Sequence, residues 1–122
     1  MSADYYFKKL ISQIRDNQLK RLDGFVYGEE ERILELLQEL KGNKSVKVVE
    51  LYDCDLGPRF CGVLSDVLKV NNTITKVDLW GDSLGDQDVR AISEALKINK
   101  SLKELRLGRN KLSSEGARAI AD

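Results

Sequence analysis

The sequence predicts an α/β fold: a solenoid of parallel strands and helices, with an N-terminal helical cap over its first unit. Three segments that start at Val46, Ile74 and Leu102 align without gaps, and both steps are 28 residues (74 − 46 and 102 − 74). Within each segment apolar residues alternate, as at Val49 and Leu51, which is typical of a strand with one buried face. Strands that recur at one register of a repeat pair in parallel, and each pair requires a crossover.

The strand part of each repeat is defined by apolar residues and one turn position. Its members are Val46, Val49, Leu51, Cys54 and Leu56, then Ile74, Val77, Leu79, Asp82 and Leu84, then Leu102, Leu105, Leu107, Asn110 and Leu112. We expect strands within 47–53, 75–81 and 103–109, and a right-handed crossover between neighbours.

Apolar residues at helical spacing fill the rest of each repeat and indicate the crossover helices. Helices are expected near 59–69 and 87–98, with Pro58 at a first helical position and Gly85 at a capping position. The asparagines Asn43, Asn71 and Asn99 recur at the same period, where each helix is expected to end. The inward helix positions are Cys61, Leu64 and Leu68, then Val89, Ile92 and Leu96, then Ala117 and Ile120.

The N-terminal region departs from the repeat and is predicted to be the cap that a solenoid needs over its first core face. We expect one helix near residues 3–20, a short edge strand at 25–27, and the first stacked helix at about 29–41. Residues 1–45 thus form the cap and first helix, and repeats follow at 46–73, 74–101 and 102–122, the last one truncated. The inward stripe of the first helix is Tyr6, Phe7, Leu10, Ile11 and Ile14.

The LxxLxLxxNxL pattern followed by a helix resembles the leucine-rich-repeat family, and the 28-residue period is similar to its ribonuclease-inhibitor-like class. The resemblance covers the chain from about residue 43 and departs at Cys54 and Asp82, which stand where Asn110 fits the pattern. It implies strands on a concave side, helices on a convex side, and a protein-interaction role. Residues 66–74 and 97–102 are also similar to repeats of tropomodulin-type actin-capping proteins and of intracellular immune receptors, which implies actin binding as an alternative.

Composition argues against catalysis, cofactors and nucleic acid. The 20 Lys and Arg residues equal the 20 Asp and Glu residues, whereas a protein that neutralises phosphates normally has a basic surplus. On this ground we expect neither nucleic acid nor a membrane surface as the main partner. The chain has no histidine, which removes Ser-His-Asp arrangements and the commonest transition-metal ligand. We predict no catalytic residue, no metal and no cofactor.

The cellular setting is predicted from the N-terminus and the cysteines. The first residues lack the apolar core of a secretory signal, and no stretch has the roughly 18 apolar residues of a membrane span. Cys54 and Cys61 are too few for a disulfide framework, and both occupy inward positions. We therefore predict a cytoplasmic protein in which both thiols are buried and reduced.

The outward strand positions are the candidate binding residues. Tyr52 and Trp80 are 28 residues apart and should be neighbours about 5 Å apart across the sheet. Rigid exposed aromatic residues are typical of binding hot spots. The alternative that the N-terminal cap covers them remains open. The predicted partner-binding residues are Glu50, Tyr52, Asp53, Asp78, Trp80, Arg106 and Arg109.

The last repeat suggests a further interface. Without a following coil, the final strand offers unpaired backbone groups and an uncovered apolar face. A homodimer or higher assembly is therefore expected there, and a structural role as an assembly unit is an alternative function. The predicted self-association residues are Leu105, Leu107, Leu112 and Ile120.

Overall fold

The computed structural model describes residues 3–23, 30–52, 59–80 and 84–108, and within them strands and helices alternate. All pairs in the sheet are parallel, in the order β1-β2-β3-β4. The three adjacent parallel strands and their two crossover helices confirm the predicted repeat. The elements are α1 (Ala3–Arg15), β1 (Arg21–Leu22), α2 (Glu30–Leu40), β2 (Val48–Tyr52), α3 (Phe60–Val70), β3 (Lys76–Trp80), α4 (Asp86–Leu96) and β4 (Glu104–Arg106).

The sheet keeps the register of the sequence repeat. Val49 pairs with Val77, and Val77 pairs with Leu105. The side chains of Val49, Val77 and Leu79 are at most 1% exposed, as predicted for the inward positions. They pack with apolar residues of the helices, among them Leu64, in one continuous core.

The crossover helices begin and end close to the predicted residues. At the start of α4 the Gly85 amide donates to Asp88 Oδ2 at 2.9 Å, which satisfies one of the amides exposed at a helix N-terminus. On α3, Cys61 is a buried thiol, as predicted. Cys54 lies outside the described residues.

Asparagine side chains connect the turns that follow successive helices. Asn71 Nδ2 donates to the carbonyls of Leu40 (2.8 Å) and Asn43 (3.2 Å), and its Oδ1 accepts from the amides of Thr73 and Ile74. Asn99 makes the equivalent bonds one repeat later. Buried backbone groups need partners, so this ladder stabilises each turn on the one before. The periodic asparagines are therefore structural.

The N-terminal region differs from the prediction in three respects. Helix α1 ends at Arg15 rather than near residue 20, since Asn17 adopts a positive φ of 55° that ends the helix. The strand that pairs with β2 is β1 at Arg21–Leu22, whereas residues 25–27 lie outside the described part. Tyr6 is 44% exposed because the inward stripe runs through Phe7, Ile11 and Ile14 at helical spacing.

Ion pairs join α1 to α2 on the helical side. Arg15 Nη2 lies 2.7 Å from Glu39 Oε1, and Arg32 Nη2 lies 2.8 Å from Asp4 Oδ1. The hydrogen bond from Arg15 lowers the pKa of Glu39 below its ordinary value and raises the pKa of Arg15. The guanidinium of Arg32 also lies 5.1 Å from the centre of the Phe7 ring. These contacts hold the first helix against the stack.

Candidate functional site

The sheet surface that faces away from the helices is called here the open face, and its side chains alternate with the core residues. Leu22, Val49 and Val77 point into the core, so their neighbours along the strands lie on the other surface. The open face of the described residues consists of Arg21, Val48, Glu50, Lys76, Asp78, Glu104 and Arg106.

Acidic and basic side chains of adjacent strands meet on the open face. Arg21 on β1 pairs with Glu50 on β2. Lys76 Nζ on β3 lies 3.7 Å from Glu104 Oε2 on β4, and Arg106 Nε lies 2.5 Å from the same oxygen. The charges of this face are therefore held in fixed positions before any partner arrives.

Glu50 and Asp78 were expected to project into solvent, but their side chains are buried. They are 8% and 6% exposed, and they are direct register partners on β2 and β3. Neighbouring strands lie under 5 Å apart, so a short side chain on a central strand is covered by longer ones on both sides. Arg21 contacts Glu50 from one side, and Arg106 is the register partner of Asp78 on the other. Two adjacent carboxylates thus lie between two cations.

At the carboxyl ends of the strands, Tyr52 pairs in register with Trp80. This confirms the predicted neighbourhood of the two residues. Their side chains lie outside the described part of the structure, so the predicted exposure of Trp80 stays a prediction. Asp53 and Arg109 also fall outside the described residues. Arg106 does lie on the surface, with 62% of its side chain exposed.

The predicted self-association residues are described only in part. Leu105 and Leu107, near the C-terminal strand β4, are partly buried and pack against the core. Leu112 and Ile120 lie outside the described residues. The proposed contact between two copies stays a prediction.

Arg21 belongs to the open face, although the sequence analysis placed it outside every predicted strand. A signal was present, because Leu19 and Leu22 have the spacing of Val46 and Val49. The step is 27 residues (46 − 19 and 49 − 22), one fewer than in the later repeats. The amide of Lys47 donates to the carbonyl of Lys20 at 2.8 Å, which extends the sheet to this earlier unit.

Among the described residues, no group of three or more His, Cys, Asp or Glu side chains has the geometry to hold a metal ion. No described helix is long and apolar enough to cross a membrane.

Comparisons with known proteins agree with this architecture. Residues 99–121 match the family described as "Leucine Rich repeat". The chain is similar to a structure titled "Leiomodin-1 Actin-Binding Site 2 (ABS2)", with TM-score 0.85 and 22% identity over 94% of this chain and 70% of that one. It is also similar to the tropomodulin C-terminal domain from Caenorhabditis elegans, with TM-score 0.81 and 12% identity over 93% and 72%. No curated protein matches the chain in sequence.

The repeat and the parallel sheet agree with the match of residues 99–121 to the leucine-rich-repeat family. The fold of the chain is similar to that of the tropomodulin and leiomodin domains.

Proposed function

We propose that this chain is a non-catalytic protein-interaction module that binds a protein partner through the open face of its sheet. One observation carries the proposal: the parallel register puts Tyr52 beside Trp80 at one end of a face whose charges are already paired. Aromatic residues on rigid backbone contribute much of the binding energy of typical protein interfaces. Fixed charges add specificity, because a partner must match their pattern.

The paired charges also predict which residues contact the partner. Glu50 and Asp78 are buried, so they act by fixing the cations around them. Arg21 and Arg106 have more than half of their side chains exposed and are the groups that a partner reaches. We expect acidic groups on the partner opposite these two arginines, and an apolar pocket opposite Trp80.

Actin is the first partner to test. The structure titled as an actin-binding site of leiomodin-1 matches 94% of this chain with TM-score 0.85. A likeness at 22% identity concerns the fold, so the proposal for actin depends on the open face of this chain rather than on the relative.

The test is a titration of fluorescent monomeric actin with the wild-type chain and with Trp80→Ala. Truncation of a hot-spot residue weakens binding by about 30-fold or more, and we expect a loss of that size. Tyr5→Ala is the matched control, since Tyr5 is an aromatic residue 50% exposed on α1, away from the open face. Far-ultraviolet circular dichroism of all three proteins checks that the fold is kept.

The outcomes test separately whether actin is the partner and whether the open face is the binding surface. Absence of actin binding by the wild type rejects actin. The broader proposal then depends on affinity capture from a cell extract, in which Trp80→Ala must lose partners that Tyr5→Ala retains. Equal behaviour of the two variants in both assays would reject the open face as the binding surface.

A second proposal is self-association through the β4 edge, supported by the partial burial of Leu105 and Leu107 next to the last strand of the described sheet. Sedimentation velocity over a wide concentration range tests it. A sedimentation coefficient that stays at the monomer value at the highest concentration would reject it.

A further inference from the structure

All described turns that lead from a helix into a strand lie on one rim of the molecule. All strands are parallel, so their amino ends share one edge of the sheet. Backbone hydrogen bonds of 2.8 Å run along this edge from Lys47 N to the Lys20 carbonyl, from Thr75 N to the Lys47 carbonyl, and from Lys103 N to the Thr75 carbonyl. Successive turns are therefore direct neighbours.

This rim is rich in lysine and is called the lysine rim. The turns at 41–47, 71–75 and 97–103 contain no Asp or Glu. Acids lie in the adjoining elements: Asp16 follows α1, Glu39 is paired with Arg15, Asp66 is three residues before Lys69, Glu94 lies 3.1 Å from Lys97 Nζ, and Glu104 follows Lys103. The lysine rim consists of Lys20, Lys41, Lys44, Lys47, Lys69, Lys97, Lys100 and Lys103, and all of them are exposed.

Other acidic residues lie in the segments between the end of each strand and the first turn of the next helix. Among the segments 23–31, 53–59 and 81–88, Arg59 is the one basic residue. These segments contain nine of the 20 acidic residues, and the lysine rim contains eight of the 20 basic residues. The acids in these segments are Asp23, Glu29, Glu30, Glu31, Asp53, Asp55, Asp82, Asp86 and Asp88.

Two exposed aliphatic side chains lie within the lysine rim. Val70 is 58% exposed and Ile98 is 55% exposed, more than any other large apolar side chain in the described ranges. They are one repeat apart (98 − 70 = 28), at the C-terminal ends of α3 and α4. A shallow groove of about 370 Å³ separates Val70 from Lys41 and Lys44. An apolar side chain exposed among cations is typical of surfaces that enter a membrane interface.

The residue types distinguish among anionic partners. Arginine predominates where planar acceptors are bound in two-point contacts, and protein interfaces are depleted in lysine. The cations of this rim are lysines, which act as flexible point charges, and the one arginine at a helix end here, Arg15, is paired with Glu39. Single-stranded nucleic acids stack their bases on aromatic residues, whereas the exposed apolar residues here are aliphatic. An anionic lipid bilayer fits both the flexible lysines, which meet its headgroups, and the exposed aliphatic side chains, which meet its apolar interior.

We propose that the lysine rim docks on an anionic lipid bilayer, with the ammonium groups against headgroup phosphates and carboxylates and with Val70 and Ile98 in the interface. The docking is peripheral, and it revises the expectation drawn from the balanced net charge that a membrane surface is not a partner. It leaves the open face accessible, so a protein partner and the membrane can bind together. The proposal does not depend on the function assigned to the open face.

Co-sedimentation with vesicles of phosphatidylcholine, with and without phosphatidylserine, tests the proposal. We expect binding only with phosphatidylserine, and its loss at high salt. Each lysine near an anionic surface contributes about fivefold in affinity, so Lys69→Gln with Lys100→Gln should weaken binding about 25-fold. The matched control is Lys8→Gln with Lys9→Gln, because both lysines are exposed on α1, away from the rim. The control should stay within about twofold of the wild type.

A third variant, Val70→Ser with Ile98→Ser, should weaken binding at unchanged charge by about tenfold. Both residues are exposed, so the fold should be kept, and circular dichroism verifies this. Three results would overturn the proposal: vesicle binding without dependence on phosphatidylserine, equal loss in the control pair, or an unchanged affinity of the serine variant. Binding to polyglutamate or an oligonucleotide as tight as to the vesicles would also overturn it.

Discussion

The first unit of the sheet and the later repeats share one buried hydrogen bond and differ in their other contacts. Asn43 Nδ2 donates to the Ile14 carbonyl at 2.8 Å, as Asn71 Nδ2 does to the Leu40 carbonyl. In the later repeats an asparagine side chain, such as Asn71 at 3% exposure, joins each turn to the one before through buried hydrogen bonds. In the first unit Asn17 is exposed, and its Oδ1 accepts one bond, from the Lys44 amide at 2.7 Å. Surface ion pairs such as Arg15–Glu39 supplement it. Buried hydrogen bonds resist salt and solvent, whereas exposed pairs contribute little.

The largest expected loss of stability comes from breaking the buried ladder of asparagine hydrogen bonds. Asn71→Ala removes the four hydrogen bonds of this side chain and leaves buried backbone groups without partners. We expect the free energy of unfolding to fall by about 3 kcal/mol. Urea denaturation followed by circular dichroism measures it. Asn72→Ala, at the adjacent exposed position, is the control and should change stability by less than about 0.5 kcal/mol. Similar values for the two variants would contradict the structural role of the ladder.

An intermediate loss of stability is expected where the first unit meets the later repeats, at the pair of Arg21 on β1 and Glu50 on β2. Arg21→Met keeps the apolar stem but removes the cation from Glu50, whose side chain is only 10% exposed. We expect a loss of about 1–2 kcal/mol, and partial recovery when Glu50→Gln is added. Lys76→Met is the control on the same face, because its partner Glu104 is 43% exposed, and it should cost less. A double-mutant cycle in urea that gives no coupling between Arg21 and Glu50 would contradict the assigned pair.

The smallest expected effect is at the surface pair between α1 and α2. Because folding lowers the pKa of Glu39, its ion pair stabilises the fold above the ordinary carboxyl pKa, and this stabilisation disappears as the pH falls through the lowered value. Glu39→Gln should therefore lower Tm by about 1–2 °C at pH 7. The difference from wild type should shrink once the pH falls below the ordinary carboxyl pKa of about 4.3, and it should vanish below the lowered pKa of Glu39. Thermal melts of both proteins from pH 3 to pH 7 measure this, and a difference independent of pH would argue against the pair.

The strands, helices and register of the later repeats could be predicted from the sequence, whereas those of the first unit could not. Burial in strands and helices follows local periods, so Val49, Val77 and Leu64 identify their own elements. In the first unit the step is one residue shorter and the strand has only two residues, too few to show alternation. The edge strand was therefore expected at 25–27 rather than at Arg21–Leu22. The exposure of Tyr6 was missed because two overlapping helical stripes fit the same residues.

The sequence alone determined the period, the order of strands and helices, the parallel register and the pairing of Tyr52 with Trp80, since each follows from spacing along the chain. Only the tertiary structure decided that Glu50 and Asp78 are buried, that Arg21 joins the open face, and that eight lysines share one rim. The physical reason is that burial and local charge depend on neighbours from other repeats. A count of charges along one chain gives zero here, while stacking of the repeats brings eight lysines to one rim.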